Sequence, residues 1–297
     1  MIKKFIVASC FMLCLGFSLQ AQGFFVELGR SYSWQGVRGP VEFYETSDSL
    51  GGNLTLRNVF QNQGDGFGIG GNVGYMFNEN FGVEIGFEYF LSVPIRAKTQ
   101  DFNPLLLVTA DVSTQQGRLM PGVILRTDGN RLRGIARAGM LMPIFGASYL
   151  EIEIASSLFG THTRSLTRNT GKFSGGFYGG FGGEYRFGDN IGLTLEVNAK
   201  YLRVKSLKQT ILKQFDVNTG LSTMNNLNTF DIETEYVDEL TTGANNPNFV
   251  NPVDPDKPQQ LIGETSSYSS VGVRAGIKLY FPQKEKEAKP PKIEPIF

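Results

Sequence analysis

A few residue groups in this chain have types and spacings that could do chemistry. Gly66, Gly68 and Gly71 satisfy G-x-G-x-x-G, a spacing that cradles a pyrophosphate when the preceding strand turns into a helix. Here a second strand and an Asn78-Glu79-Asn80 turn follow, so the match reads as chance in a glycine-rich strand. His162, the only histidine, stands between Thr161 and Thr163, with no nucleophile or metal ligand at a fixed spacing to use it as a base. Asp231, Glu233, Glu235, Asp238 and Glu239 form an oxygen-rich run that could attract calcium. The run lacks the turn glycine and ligand spacing of an ordered calcium loop, and a solvated acidic rim or a protein-recognition lid reads as well. Cys10 and Cys14 are the only cysteines and both lie near the N-terminus. No catalytic residue, cofactor or metal site is expected.

Those cysteines sit in a segment with its own meaning. Lys3 and Lys4 precede an apolar run over 5–19, and Ala21 then offers a small residue before Gln22 and Gly23. This is the three-part pattern of a secretory signal peptide, with removal expected after Ala21. The run is short for a membrane span, and a lipobox reading at Cys10 fails because the apolar run continues past it to Phe17. The mature chain is then expected to lack cysteine, which excludes disulfides and thiolate chemistry. Lys and Arg together number 28, as do Asp and Glu, so no basic excess points to nucleic acid. Gly 36 and Phe 24 against a single Trp is an unusual balance for one domain, and it calls for a structural explanation.

The explanation is alternation with period two. Phe67, Ile69, Val73, Tyr75 and Phe77 alternate with Gly68, Gly70, Asn72, Gly74 and Met76, and the phase resumes in Phe81, Val83, Ile85, Phe87 and Tyr89. The same rhythm marks a first strand at Phe24, Val26 and Leu28, a fourth over 118–126, a fifth over 131–140, a sixth over 173–187 and a seventh over 191–201. An eighth runs over 271–281. Opposite the apolar positions the strands carry Glu27, Glu84, Glu88, Arg133, Arg137, Glu184, Arg186, Glu196, Lys200, Arg274 and Lys278, mixed with glycine. A soluble sandwich would show bulk water a varied long polar face. Glycine mixed with charges of both signs instead fits a narrow lumen where side chains pair across the axis. Aromatics at the strand ends suit a membrane interface, and an open sheet edge in hydrocarbon would leave backbone groups unpaired. The fold class expected is all-β: an eight-stranded antiparallel up-and-down transmembrane β-barrel, with ten strands as the alternative.

Connections alternate too. Short turns at 78–80, 127–130 and 188–190 separate long loops at about 33–64, 92–117, 143–171 and 203–266. That asymmetry implies external loops and two periplasmic termini. Runs at 105–108 and 149–154 within the loops read as rims above the membrane or as an extra hairpin.

Signal, alternating segments and loop rhythm together resemble the small outer-membrane barrel families, the OmpA-like transmembrane domain and its OmpX/OmpW-like relatives. The resemblance covers about 22–281. Its most specific piece is the last strand, where Arg274, Gly276, Leu279 and Phe281 are similar to the signal such families present to the barrel assembly machinery. The chain departs by continuing from Pro282 to Phe297, without a peptidoglycan-binding domain of the OmpA type. This Pro- and Lys-rich tail reads as a solvated periplasmic extension, with Ile293, Pro295, Ile296 and Phe297 as candidates for docking on a partner. The expected protein sits in outer-membrane lipid and has no enzymatic activity. It would play a structural or protein-interaction role, as a component of a complex contacted through loop four or the tail. The alternatives are a small porin-like channel or ligand-uptake barrel, then a membrane-embedded hydrolase.

Overall fold

The computed structural model describes residues 23–35, 39–49, 53–61, 63–100, 106–156, 160–188 and 190–281. Eight strands form the wall: β1 (Gly23–Gln35), β2 (Gly66–Met76), β3 (Phe81–Ser92), β4 (Leu106–Arg126), β5 (Leu132–Ser156), β6 (Gly176–Arg186), β7 (Ile191–Tyr201) and β8 (Ser270–Phe281). Each pairs antiparallel with the next, and β1 pairs with β8 in register Glu27↔Lys278, so the ring closes with no free edge in the wall. The signal segment 1–21 and the tail 282–297, with Ile293, Pro295, Ile296 and Phe297, lie outside the described residues.

Alternation decides what each strand shows to each side. Along β7, Leu195 is 64% exposed while the adjacent Glu196 is 3% exposed. This inverts the ordering water imposes, since apolar area left in water costs about 25 cal/mol per Å². Hydrocarbon around the wall removes that cost. Leu28, Ile69, Ile85, Phe177, Phe181, Leu193 and Ile277 complete the apolar exterior. Ring pairs Phe24–Tyr75, Phe77–Phe81 and Tyr185–Phe187 gather at one rim, and Tyr32–Trp34 and Tyr32–Phe67 at the other, which suits the two interfaces of a membrane.

The short turns hold one end. Asn78 Oδ1 accepts from the N–H groups of Asn80 (2.9 Å) and Phe81 (2.7 Å), the side-chain turn for which Asn is favoured. Asn80 Nδ2 donates to Arg126 O (3.0 Å) and to Asp128 Oδ1 (2.7 Å), stapling the first turn to the second.

At the other end three of the expected loops are largely strand. β4 and β5 stay paired past the wall up to Leu106↔Ser156; of the two runs at 105–108 and 149–154, residues 106–108 lie opposite 154–156 and residues 149–154 opposite 108–113, so the runs meet at Val108↔Ile154. They are continuations of two wall strands, so the ring remains eight. This arm widens sideways. Ile95–Gln100 adds to β4, Thr161–Gly171 adds to β5, and Arg203–Asp216, Glu233–Val237 and Gln259–Ile262 follow in turn. In the first expected loop, Gly39–Ser49 and Asn53–Gln61 form a separate hairpin.

Candidate functional site

Inside the ring the alternation places Glu27, Glu84, Glu88, Arg133, Arg137, Glu184, Arg186, Glu196, Lys200, Arg274 and Lys278 on the lumen side, in three layers along the axis. Arg137 organises the middle one. Its guanidinium meets Glu27, Glu84 (3.4 Å) and Glu196 (3.1 Å). Arg274 Nη2 reaches Glu27 (3.4 Å) and Asn72 Oδ1 (3.2 Å). Thr194 Oγ donates to Glu27 (3.2 Å), and Asn72 Nδ2 and the Tyr178 hydroxyl donate to Glu84 (3.2 and 3.4 Å). Three carboxylates around two guanidiniums hold each other at low dielectric only because each pairing is made.

Nearer the arm, Glu88 receives Lys200 Nζ at 2.8 and 2.6 Å, Arg118 at 3.2 Å and Ser31 Oγ at 3.0 Å. Arg118 stacks over Phe90 at 3.8 Å and donates through Nε to Gln116. Arg118, fully buried, and Arg126, 4% exposed, are interior residues that the sequence reading used only as strand limits. The signal was available, since both share the phase of Met120, Gly122 and Ile124. Towards the short turns, Glu184 faces Arg186 (3.4 Å) and Lys278 (3.5 Å), while Arg126 donates to the Tyr280 hydroxyl (3.2 Å).

Glycine makes this filling possible. A Cβ on Gly68 would stand 2.8 Å from the Glu88 carboxyl carbon, and one on Gly276 would stand 3.0 Å from Glu27 Oε1. Larger residues there would displace the carboxylates. The space between Ser31, Gly68, Asn72, Glu88 and Arg274 is about 10 Å³, the scale of a single water. At that level these side chains fill the lumen.

Above the plug the wall splays. β5 pairs with β6 up to Leu141↔Gly176 and next with Thr161–Gly171 from Ser148↔Asn169, so neither ladder spans 142–147. A cleft of about 870 Å³ opens there, with Phe145, Phe173, Tyr236, Asn169, Lys172 and Arg203 on its walls. Its floor is a hydroxyl and amide cluster in which Ser148 meets Thr114, Gln63 and Tyr268, each at 2.9 Å.

The acidic run does not converge. Asp231 closes a capping box with Asn228, Glu233 pairs with Lys208 (2.8 Å), and Asp238 clasps Lys172 (2.8 Å) and Lys205 (2.6 Å). Hydrogen bonds from the two lysines hold the Asp238 carboxyl down at about 2. Among the described residues no three His, Cys, Asp or Glu side chains group so as to hold a metal. His162 Nε2 lies 2.6 Å from Glu153 Oε1 across the arm's ladder. Gly66, Gly68 and Gly71 lie along β2, which runs into the first turn with no helix. Leu279 and Phe281 face outward on β8, whereas Gly276 packs against the Glu27 carboxylate.

The outer membrane protein beta-barrel domain family matches residues 9–232. No curated protein sequence matches the chain. Among solved structures, the outer membrane protein OprG from Pseudomonas aeruginosa is similar at 13% identity and TM-score 0.43, over 89% of this chain and 99% of that one. Neisserial surface protein A is similar at 12% and 0.35, over 88% and 99%. Outer Membrane Protein W of E. coli is similar at 14% and 0.31, over 88% and 98%.

Proposed function

From the premise that this chain belongs to the outer membrane protein beta-barrel domain family and is an integral outer-membrane protein, we propose that it works without catalysis, as a closed barrel that carries a protein-docking arm. In this reading the signal peptide is removed, both termini are periplasmic and the arm faces the outside. The barrel assembly machinery reads Arg274, Gly276, Leu279 and Phe281, and the tail contacts a periplasmic partner through its last residues.

One observation carries the reading. The lumen is filled by paired charges, while two wall strands run on past the membrane and nucleate a sheet with further strands on both sides. Ordering that many residues above the lipid costs about 1–2 kcal/mol of backbone entropy each, which favours a surface that is used. The test is cross-linking on intact cells of the full chain and of a variant in which residues 208–262 are replaced by an Asn-Gly turn. The expected result is a folded, membrane-inserted variant that has lost the full chain's cross-linked partner. Equal recovery of that partner would overturn the docking role.

The cleft favours a second reading, a ligand-uptake barrel. It has the size of a small-molecule site and mixes aromatic with polar lining. The charge plug closes it below, so it would retain a ligand at the base of the arm. Retention of amphiphiles by the full chain, lost in Phe145→Ala and Phe173→Ala, would promote this reading over docking.

A further inference from the structure

Between the two aromatic rims, the outward positions of the eight wall strands hold a single charge among the described residues, Arg30 on β1. Strand phase puts it there. Glu27, Ser31 and Ser33 are buried towards the lumen while Phe24, Leu28 and Trp34 are exposed to the outside, so Arg30 falls on the lipid face and is exposed. Its register partners, Ile69 on β2 and Ala275 on β8, are exposed on the same side. Such a charge is costly in hydrocarbon unless its head reaches the interface or a counter-charge. Among the described residues Arg30 makes no hydrogen bond, ion pair or ring contact. Asp65, the carboxylate that acts on Tyr32, forms no ion pair with it.

Depth decides what can reach this guanidinium. Tyr32, the next outward position, meets Trp34 at 5.1 Å and Phe67 at 4.8 Å in the arm-end rim, whereas Phe24 in the opposite rim lies beyond Leu28 and Val26. With a rise of about 3.4 Å per residue, Arg30 sits about 7 Å along β1 below Tyr32. An arginine stem lies along apolar surface and lifts its head over such a distance, to the headgroup level where interfacial aromatics sit. Ala275 beside it is too short to cover the guanidinium, so that flank is open. A second copy of this wall would bring no carboxylate between its rims. The planar fork of donors matches the paired oxygens of a phosphate.

We infer that Arg30 binds the headgroup phosphate of an anionic lipid in the leaflet at the arm end, the outer leaflet in the orientation proposed above. Arg30 supplies the charge-assisted hydrogen bonds, Ala275 leaves the room, and the Tyr32, Trp34 and Phe67 rings flank the same lipid.

The test places the full chain in phosphatidylcholine vesicles with a minor share of phosphatidic acid in both leaflets, so that the reading does not depend on orientation. Bromine atoms are carried on the chains of one lipid or of the other. The readout is quenching of Trp34, the only tryptophan, exposed on the same face just past Tyr32. Phosphatidic acid should be preferred over phosphatidylcholine at Trp34 by about fivefold, the factor one basic residue contributes beside an anionic surface. Arg30→Leu, which extends the apolar face, should abolish the preference. Arg203→Gln, whose guanidinium lies over the Tyr201 ring on another strand, should leave it unchanged. Equal quenching by the two lipids in the wild type, a preference that survives Arg30→Leu, or one lost equally in Arg203→Gln would overturn the site. Self-association of the wild-type chain in the same vesicles that Arg30→Leu removes would assign Arg30 to a second copy and overturn it as well.

Discussion

Replacing Arg137 by Met should be the most damaging single change in the lumen. The guanidinium, 4% exposed, is shared among Glu27, Glu84 and Glu196, which are themselves nearly inaccessible to solvent. Met approximates its stem but leaves three carboxylates in one layer with Arg274, which reaches only Glu27 among them. Removing one partner of a buried pair costs about 3–5 kcal/mol, because the charge left behind is uncompensated. With three carboxylates stranded, the upper part of that range is expected. The assay is urea unfolding of the folded barrel in micelles, read by the fluorescence of Trp34, the only tryptophan, which lies at the arm end of β1 and is exposed to the lipid side. Arg96→Met on the arm is the control, since its bidentate pair with Asp111 at 2.7 and 2.8 Å is open to solvent and should leave unfolding unchanged. Adding Glu84→Gln and Glu196→Gln to Arg137→Met should recover most of the loss. A loss for Arg137→Met under about 1 kcal/mol, the range of solvent-exposed pairs, would refute the dry, paired lumen.

Other positions probe separate parts of the account. A Cβ on Gly86 would stand 2.6 Å from Asn72 Oδ1, so Gly86→Val should destabilise the barrel by about 1–3 kcal/mol through overpacking, measured by the same unfolding assay. Leu195→Arg places a charge on the lipid face and should cost about 2–4 kcal/mol if it lies near the bilayer midplane. Leu221→Arg, on an exposed connection of the arm, should leave unfolding unchanged. The Asp238 clasp should be pH-dependent. Its carboxyl is held at about 2 in the folded chain against an ordinary 3.8, so the clasp's contribution is full above about pH 4 and is lost as pH falls through 2. The protection factors of the Lys172 and Gly263 amides, which bond to Lys205 O and Val237 O, taken against the intrinsic exchange rate at each pH, should fall towards pH 2, and Asp238→Asn should show the same loss of protection at pH 6.

The wall was legible in the sequence because a barrel in lipid has two sharply different sides. Every second residue of β7 has to be apolar, and each residue between must pair or vanish, so Glu196 and Lys200 alternate with Leu195 and Val197 and glycine takes the crowded places. The arm was not legible for the same physical reason. Thr161–Gly171 and Arg203–Asp216 stand in water on both faces, so their strands lack a clean alternation and read as loop. Pairing partners within the lumen were also beyond reach. Glu27 and Arg137 stand 110 residues apart in sequence, and only closure of the ring brings them together. Arg118 and Arg126 were readable from phase alone. The cleft was not, since it depends on where β5 changes partner between Leu141 and Ser148. The acidic run showed composition without geometry, and folding spends its carboxylates on Lys208, Lys172 and Lys205 instead of gathering them.

The most direct measurement of the central claim, a barrel closed by its own charges, is ionic conductance of the full chain in planar lipid bilayers. The account expects the wild-type chain to show no conductance above the bare bilayer, with steps appearing only when the middle layer is emptied by Arg137→Ala together with Glu196→Ala. Steady conductance steps from the wild-type chain, unchanged by that double substitution, would contradict it.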